Sequence, residues 1–268
     1  MIAELAPAKI NLALHVRARR PDGYHEIETL FAFCRDGDSV TVAEAGHDSF
    51  TITGPFADAL AGESGNLVLA ARDAFAAAFG ALPPLTITLD KRLPVASGIA
   101  GGSADAAAIL RALGRLRGVV PEDMAEIALA LGSDVPACLL GRSAYGRGRG
   151  EQLEPVDGLA GRPILLVNPG VAVSTASAFA AWDGIDRGPL VADAASRNDL
   201  EAPARAIAPA IGDVLDLLSA QVGATLTRMS GSGATCFALF ESEQARADAH
   251  ASIALAHPDW WCLESALA

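Results

Sequence analysis

One stretch limits what this chain can fold into more than any other. Residues 93–108 read Leu-Pro-Val-Ala-Ser-Gly-Ile-Ala-Gly-Gly-Ser-Ala-Asp-Ala-Ala-Ala. Up to Gly102 the run is small and glycine-rich. From Ser103 it becomes an alanine-rich helix former that continues through Ile109, Leu110, Leu113 and Leu116. Ser103 or Asp105 is expected to cap that helix, since a side-chain oxygen there can accept the free N–H groups of the first turn. Just upstream, Leu85-Thr86-Ile87-Thr88-Leu89 alternates apolar and polar residues and predicts a strand. Strand, glycine loop and helix start together suit an anion. Glycine lets the backbone approach closely, and the helix N-terminus points N–H groups at the ligand. The run is neither a Walker loop, since no Gly-Lys-Ser/Thr follows, nor a G-x-G-x-x-G fingerprint. A plain glycine linker ahead of a buried helix is the competing reading.

Composition sharpens the question. With 268 residues and 51% hydrophobic content, the chain can build one large core or two of ordinary size. No apolar run is long enough for a bilayer. Met1–Pro7 carries Glu4 and lacks a basic segment followed by an apolar one, so no secretory signal is expected. Cys34, Cys138, Cys236 and Cys262 form no C-x-x-C pair, which fits reduced thiols in the cytoplasm. The net charge of −12 argues against a nucleic-acid partner. An acidic chain that holds a polyanion must concentrate positive charge locally. Of its 20 basic residues only Lys9 and Lys91 are lysine, which marks both as chosen for a compact ammonium. Lys91 immediately precedes the glycine loop, and Lys9 opens the first predicted strand.

That strand is Ile10–Val16. Pro21-Asp22-Gly23 is a turn, and Tyr24–Phe31 a second strand; Val40–Ala43 and Phe50–Thr53 are short ones. Asn66 starts a helix stopped by Gly80, and Pro121 opens another that ends before Gly132. Ser143–Leu153 predicts a strand with a glycine-broken middle. The Pro-, Gly- and acid-rich run 154–162 suggests a boundary between domains at 1–156 and 157–268. Beyond it come strands at Pro163–Val167, Ala224–Met229, Thr235–Phe240 and Trp260–Leu263. Helices are expected at Ser174–Trp182, within Asn198–Leu218 and at Ser242–Ala256, with a loop over Asp183–Ser196. The pattern predicts two α+β domains.

Three segments then converge: Pro-Ala-Lys-Ile-Asn-Leu at 7–12, the glycine loop, and Gly-Ser-Gly-Ala at 231–234. Their order and spacing resemble the superfamily of galactokinase, homoserine kinase, mevalonate kinase and phosphomevalonate kinase, the GHMP kinases. Three further segments, Arg20-Pro21-Asp22-Gly23-Tyr24-His25-Glu26, Gly132-Ser133-Asp134-Val135-Pro136 and Asn168-Pro169-Gly170-Val171, resemble the signature of the 4-diphosphocytidyl-2-C-methyl-D-erythritol kinases. The resemblance implies a two-domain α+β fold of mixed sheets with helices and an active site in the cleft between domains. It also implies transfer of the γ-phosphate of ATP, with Mg2+, to the 2-hydroxyl of that cytidyl-diphosphate substrate. The expected partner is that small molecule, with neither nucleic acid nor membrane, in a cytoplasmic monomer or weak homodimer.

The resemblance places Asp134 as the base that takes the hydroxyl proton and Lys9 as its partner. The competing readings are a helix cap for Asp134 and a solvated strand end for Lys9. ATP is expected along Pro94, Val95, Ala96, Ser97, Gly98, Ile99, Ala100, Gly101, Gly102, Ser103 and Ala104. Backbone N–H groups there would hold the phosphates, and the Ser103 hydroxyl would reach phosphate or Mg2+. Ala96 and Ala100 stand where the family commonly has glycine, which is acceptable only at negative φ. Ala104-Asp105 stands where Ser-Asn is common, and Asp105 is expected to cap the helix. Asn66 and Lys91 are implied near the adenine, Asn66 doubling as a helix cap and Lys91 serving equally well as a general electrostatic contact. For the cytosine, Tyr24 and Phe179 are the candidate stacking faces and His25 the edge reader. Core packing competes for Phe179, and a satisfied strand histidine for His25. Thr175 and Asn11 are candidates for the diphosphate or the erythritol hydroxyls. Gly231 and Ser232 are candidates for a tight turn bringing backbone close to substrate phosphate or to the glycine loop, against a purely structural hairpin.

Overall fold

The computed structural model describes residues 1–62, 65–191 and 196–268. Within them the chain forms two compact units. Unit one comprises Met1–Lys9, Asp36–Val95 and Ala100–Gly141; unit two comprises Ile10–Arg35, Ala96–Ile99 and Arg142–Ala268. Neither is a single run, so this division differs from the expected boundary at 156/157. The cause is strand length. Strand β1 (Ile2–Arg19) and its partner β2 (His25–Glu44) each contribute residues to both units. The sequence shows only fragments of them. Pro7 lies ahead of the predicted strand, yet β1 runs through it. Arg35-Asp36-Gly37-Asp38 reads as a break, yet β2 continues through it with Asp38 fully buried.

In unit one, the second half of β2 pairs antiparallel with β4 (Leu85–Asp90), and β3 (Ser49–Thr53) pairs parallel with β4. Leu85, Ile87 and Leu89 are buried, as the alternation predicts. Four helices follow: α1 (Leu67–Phe79), α2 (Gly101–Arg117), α3 (Ala125–Leu131) and α4 (Val135–Leu140). The helix expected from Pro121 is split into a 3-10 turn, Pro121–Met124, and α3. Helix α2 packs against α1 and α4 and buries Ala104 through Leu110 without interruption. Its small side chains make this possible: a Cβ on Gly114 would lie 2.6 Å from the Val119 carbonyl. Arg111 ties α2 to its neighbours, donating to the Leu5 carbonyl at 2.6 Å and the Cys138 carbonyl at 2.8 Å.

In unit two, the first half of β2 pairs antiparallel with β5 (Ala144–Gly148), which forms a hairpin with β6 (Gln152–Pro155). A second, antiparallel sheet has the order β10-β7-β9-β8, from β7 (Pro163–Asn168), β8 (Ala224–Met229), β9 (Cys236–Phe240) and β10 (Trp261–Ala266). Helices α5 (Thr175–Ala180), α6 (Glu201–Ile207), α7 (Ala210–Ser219) and α8 (Glu243–Ala256) accompany it. Leu165, Val167, Val214, Leu218, Ala238 and Ile253 belong to its core. The chain is irregular from Asp183 to Val191, as expected; residues 192–195 of that predicted loop lie outside the described residues. Among the described residues no helix is long and apolar enough to cross a membrane.

The pairing of β1 with β2 leaves no room for a side chain at Gly37, where a Cβ would lie 2.1 Å from the Ala6 carbonyl oxygen. Backbone cannot yield as a side chain can. Gly37→Ala is expected to lower Tm by on the order of 10 °C, read by circular dichroism, whereas unchanged melting would show that β1 is not held this closely.

Candidate active site

Lys9 and Asp134, 125 positions apart in sequence, meet in unit one. Lys9 lies on β1 and is 3% exposed; its Nζ is 3.2 Å from Asp134 Oδ2, on a side chain 36% exposed. Asp134 occupies the N-cap position of α4, but its side chain makes no capping bond. Pro136, which has no N–H, stands in the first turn of α4. The ammonium is therefore enclosed while the carboxylate beside it reaches solvent. That arrangement suits a group that takes a proton from an incoming hydroxyl. Lys9 is no solvated strand end.

The glycine loop departs from expectation in its backbone. Helix α2 starts at Gly101, its N-cap is Ala100, and no side chain caps it. Neither Ser103 nor Asp105 performs that role, because both already lie inside the helix. Ala96 and Ala100 have φ of 51° and 53°, so the expectation of negative φ is overturned. Each alanine carries a left-handed conformation costing roughly 1–2 kcal/mol. The first-turn N–H groups of a helix have no partner inside it, and here the turn is Gly101-Gly102-Ser103. A Cβ on Gly102 would meet nothing closer than Leu67 Cδ1 at 3.5 Å. Ile99 is fully buried, and Val95 is exposed.

Within unit two, Ser97 and Gly98 of the same loop are held by the segment 230–235. Thr235 donates its N–H to the Ser97 carbonyl at 3.1 Å, and Ser230 Oγ donates to the Gly98 carbonyl at 2.9 Å. Ser230 Oγ also accepts from the Asn11 N–H at 3.2 Å. At Gly98, φ +80°, a Cβ would lie 2.7 Å from the carbonyl oxygens of both Ser230 and Gly233. Gly231 approaches the Gly98 carbonyl just as closely, at 2.8 Å from its own hypothetical Cβ. The Gly-Ser-Gly segment thus presses backbone on backbone.

Lys91, implied near the adenine, is enclosed. Its ammonium is 3% exposed and paired with Asp38 at 2.5 Å and Asp105 at 2.8 Å, so it is consumed inside unit one. Burial alone would lower its pKa, but the charges of Asp105 and Asp38 outweigh burial and raise it. Asp105, expected as a cap, is buried in this cluster. Burial raises its pKa to about 7, opposed by the Lys91 charge and reinforced by Asp38. Asn66 does cap α1, its Oδ1 accepting from the Val68 N–H at 2.9 Å.

Unit two gathers the residues expected for a pyrimidine. The His25 ring lies 4.8 Å from that of Phe179 and 5.8 Å, edge-on, from that of Trp182. Phe179 also packs on the core, as its competing reading expects. Burial, then the Arg19 charge, holds His25 below its ordinary pKa. Near neutral pH the ring is then uncharged, with one donor and one acceptor nitrogen. Its Nε2 is buried with no hydrogen-bond partner among the described residues. Tyr24 is half exposed, and the Arg149 guanidinium covers one face at 4.6 Å from the ring centroid. Thr175 Oγ1 and Ser232 Oγ share a hydrogen bond of 2.9 Å. Asn11 is buried, its Nδ2 donating to Thr29 Oγ1 at 2.8 Å.

Sequence reasoning missed Asp38, Ser230, Trp182 and Arg149. Asp38 sits in a polar run that resembles a turn, and nothing local distinguishes it. Trp182 and Arg149 carry a weak signal, as a scarce aromatic and a cation between two glycines.

The families described as GHMP kinases N terminal domain and GHMP kinases C terminal match residues 66–142 and 183–257. A protein of Rhizorhabdus wittichii named 4-diphosphocytidyl-2-C-methyl-D-erythritol kinase is 56% identical, covering 98% of this chain and 94% of its own. Its namesake in Sphingopyxis alaskensis is 51% identical, covering 97% and 96%. A crystal structure of 4-(cytidine 5'-diphospho)-2C-methyl-D-erythritol kinase superposes with a TM-score of 0.85 at 34% identity over 99% of both chains. One of mevalonate kinase, with a TM-score of 0.67 at 10% identity over 100% and 99%, shares the fold alone.

Two outcomes follow from the loop and the buried cluster. Ala100→Gly relieves a left-handed alanine and is expected to stabilise the protein by up to about 1 kcal/mol in urea denaturation, whereas Gly98→Ala destabilises it. Because folding raises the Asp105 pKa, its contribution to stability is lost as pH rises from 3.8 to about 7. The Tm of Asp105→Asn, relative to the unsubstituted protein, is expected to rise across that window; a pH-independent difference would contradict the raised pKa.

Proposed function

Since the chain belongs to the 4-diphosphocytidyl-2-C-methyl-D-erythritol kinases within the GHMP kinases, we propose that it transfers the γ-phosphate of ATP to the 2-hydroxyl of 4-diphosphocytidyl-2-C-methyl-D-erythritol. This is the step assigned to that enzyme in the non-mevalonate route to isoprenoid precursors. The observation that carries the mechanism is the 3.2 Å pair of a buried Lys9 with a half-open Asp134.

The substrate hydroxyl oxygen attacks the γ-phosphorus, and the bond from that phosphorus to the β,γ-bridging oxygen breaks. The hydroxyl proton passes to Asp134, and ADP leaves. Lys9 steadies the negative charge that gathers around the hydroxyl oxygen. The first-turn N–H groups of α2, from Gly101 to Ser103, hold phosphate oxygens, assisted by the positive end of the helix. Among the described residues no group of His, Cys, Asp or Glu forms a metal cage. Mg2+ would keep most of its waters and bind mainly through the nucleotide phosphates. The Ser103 hydroxyl would be its protein contact, and the ion would supply charge neutralisation on the phosphates.

Asn66, its Oδ1 already used, offers its amide N–H groups to the adenine. Tyr24 and Phe179 provide faces for the cytosine, and neutral His25 reads its edge with the buried Nε2. Thr175, Ser232, Gly231 and Asn11 serve the diphosphate and the erythritol hydroxyls.

Asp134→Ala is expected to lower kcat by about 10²- to 10⁴-fold in a protein that still folds, with Tm lowered because the buried Lys9 ammonium loses its carboxylate partner. ADP release should require the cytidyl substrate and fail with mevalonate or homoserine. Full turnover by Asp134→Ala would remove the proposed base, and equal turnover with mevalonate would remove the proposed substrate.

A further inference from the structure

A buried cluster in unit one joins both ends of the glycine loop, and the mechanism above makes no use of it. Asp38 Oδ1 accepts two backbone N–H groups, from Arg92 at 2.5 Å and Leu93 at 2.8 Å, where the chain enters the loop. Asp38 Oδ2 accepts from Lys91 Nζ at 2.5 Å. The same ammonium donates to Asp105 Oδ2 at 2.8 Å, on α2, where the chain leaves the loop. All three side chains are at most 4% exposed. A Cβ on Gly101 would lie only 2.9 Å from Lys91 Nζ, so the helix start rests directly on the ammonium.

Each component has a physical reason. A two-oxygen carboxylate can bind an ammonium with one oxygen and backbone amides with the other, which aspartate does and asparagine does not. A compact ammonium donates to two partners from one point, where the planar guanidinium of arginine needs more room. Gly101 leaves that room. The cluster buries one cation with two carboxylates, and Asp105 Oδ1 has no partner among the described residues. An arrangement this costly to bury is weak evidence of stabilisation, so its use has to be sought elsewhere.

We propose that Asp38, Lys91 and Asp105 are positioning residues for phosphoryl transfer, a buried clasp that sets the spacing between the entry of the glycine loop and the first turn of α2. The clasp touches neither substrate. It acts through the backbone N–H groups of Gly101, Gly102 and Ser103, whose direction determines how the triphosphate is held. A misplacement of about 1 Å in such groups can cost a hundredfold in rate. The inference rests on the reading that this loop binds ATP.

The test compares KM for ATP, KM for the cytidyl substrate, kcat and Tm in four single variants. Asp38→Asn places an amide where Lys91 or the Arg92 and Leu93 N–H groups need an acceptor. Asp105→Leu removes the second tie, and Asp105→Asn keeps an oxygen for Lys91. Gly102→Val puts bulk on the exposed face of the loop, where the fold has space. Asp38→Asn and Asp105→Leu are expected to raise KM for ATP on the order of tenfold, with KM for the cytidyl substrate within about twofold. Asp105→Asn should restore most of the ATP affinity that Asp105→Leu loses. If the first two variants only lower Tm and leave KM for ATP unchanged, the clasp is structural and the proposal is overturned. Should Asp38→Asn fail to fold, the Asp105 pair decides by the same criterion. If Gly102→Val leaves KM for ATP unchanged, the loop is not the ATP site, and the underlying reading fails rather than the clasp alone.

Discussion

One ammonium lies between two carboxylates that could not otherwise be buried. Taking three charged groups out of water costs several kcal/mol each, and removing one partner from such a set typically destabilises by about 3–5 kcal/mol. Lys91, Asp38 and Asp105 therefore stand or fall together. Their mutual demands reach far along the chain. Asp38 keeps β2 extended through a polar run and organises the two residues ahead of the glycine loop. Asp105 requires α2 to begin early enough to place its second turn over the ammonium. Gly101 stays glycine because the ammonium lies where its side chain would be.

Smallness is the second constraint. Helix α2 buries a run of alanines, and short side chains let α1, α4 and the 119–124 segment approach it closely. The helix starts without a side-chain cap, in a left-handed alanine. That is an expensive way to begin a helix, and it leaves the first-turn N–H groups uncommitted to the chain's own side chains. An anion is the natural partner for them. The strain at Ala96 and Ala100 is tolerated because Ile99 and Leu93, beside them, are fully enclosed and over-determine the loop.

Much of the fold was legible in local pattern. The alternation at Leu85–Leu89 and the cap at Asn66 formed as read, because each depends on neighbours within a few residues, whereas the single glycine-broken strand expected over Ser143–Leu153 turns back on itself as the hairpin of β5 and β6. The pairing of Lys9 with Asp134 was legible for a different reason. Two lysines among many arginines are conspicuous, and motifs around both residues resemble those of a known family. Lys91, equally conspicuous, lies enclosed between two carboxylates. Its scarcity signalled a special role, but not whether its charge faced a ligand or the interior. The long strands β1 and β2 were read as fragments, since a proline and a cluster of charges break any local pattern.

By itself, the sequence determined most of the short strands and helices, which residues carry reactive groups, and the motifs by which the chain resembles its family. These follow from side-chain periodicity, backbone permissiveness and motif chemistry, all local properties. The tertiary structure alone decided what each charge does. Asp134, at a helix N-cap position, is left uncapping because Lys9 arrives from a distant strand. Asp105, which looks like a cap, is drawn inward because Lys91 and Asp38 lie beneath it. Burial and partner set the role of an ionisable group, and neither is a property of the residues beside it in the chain.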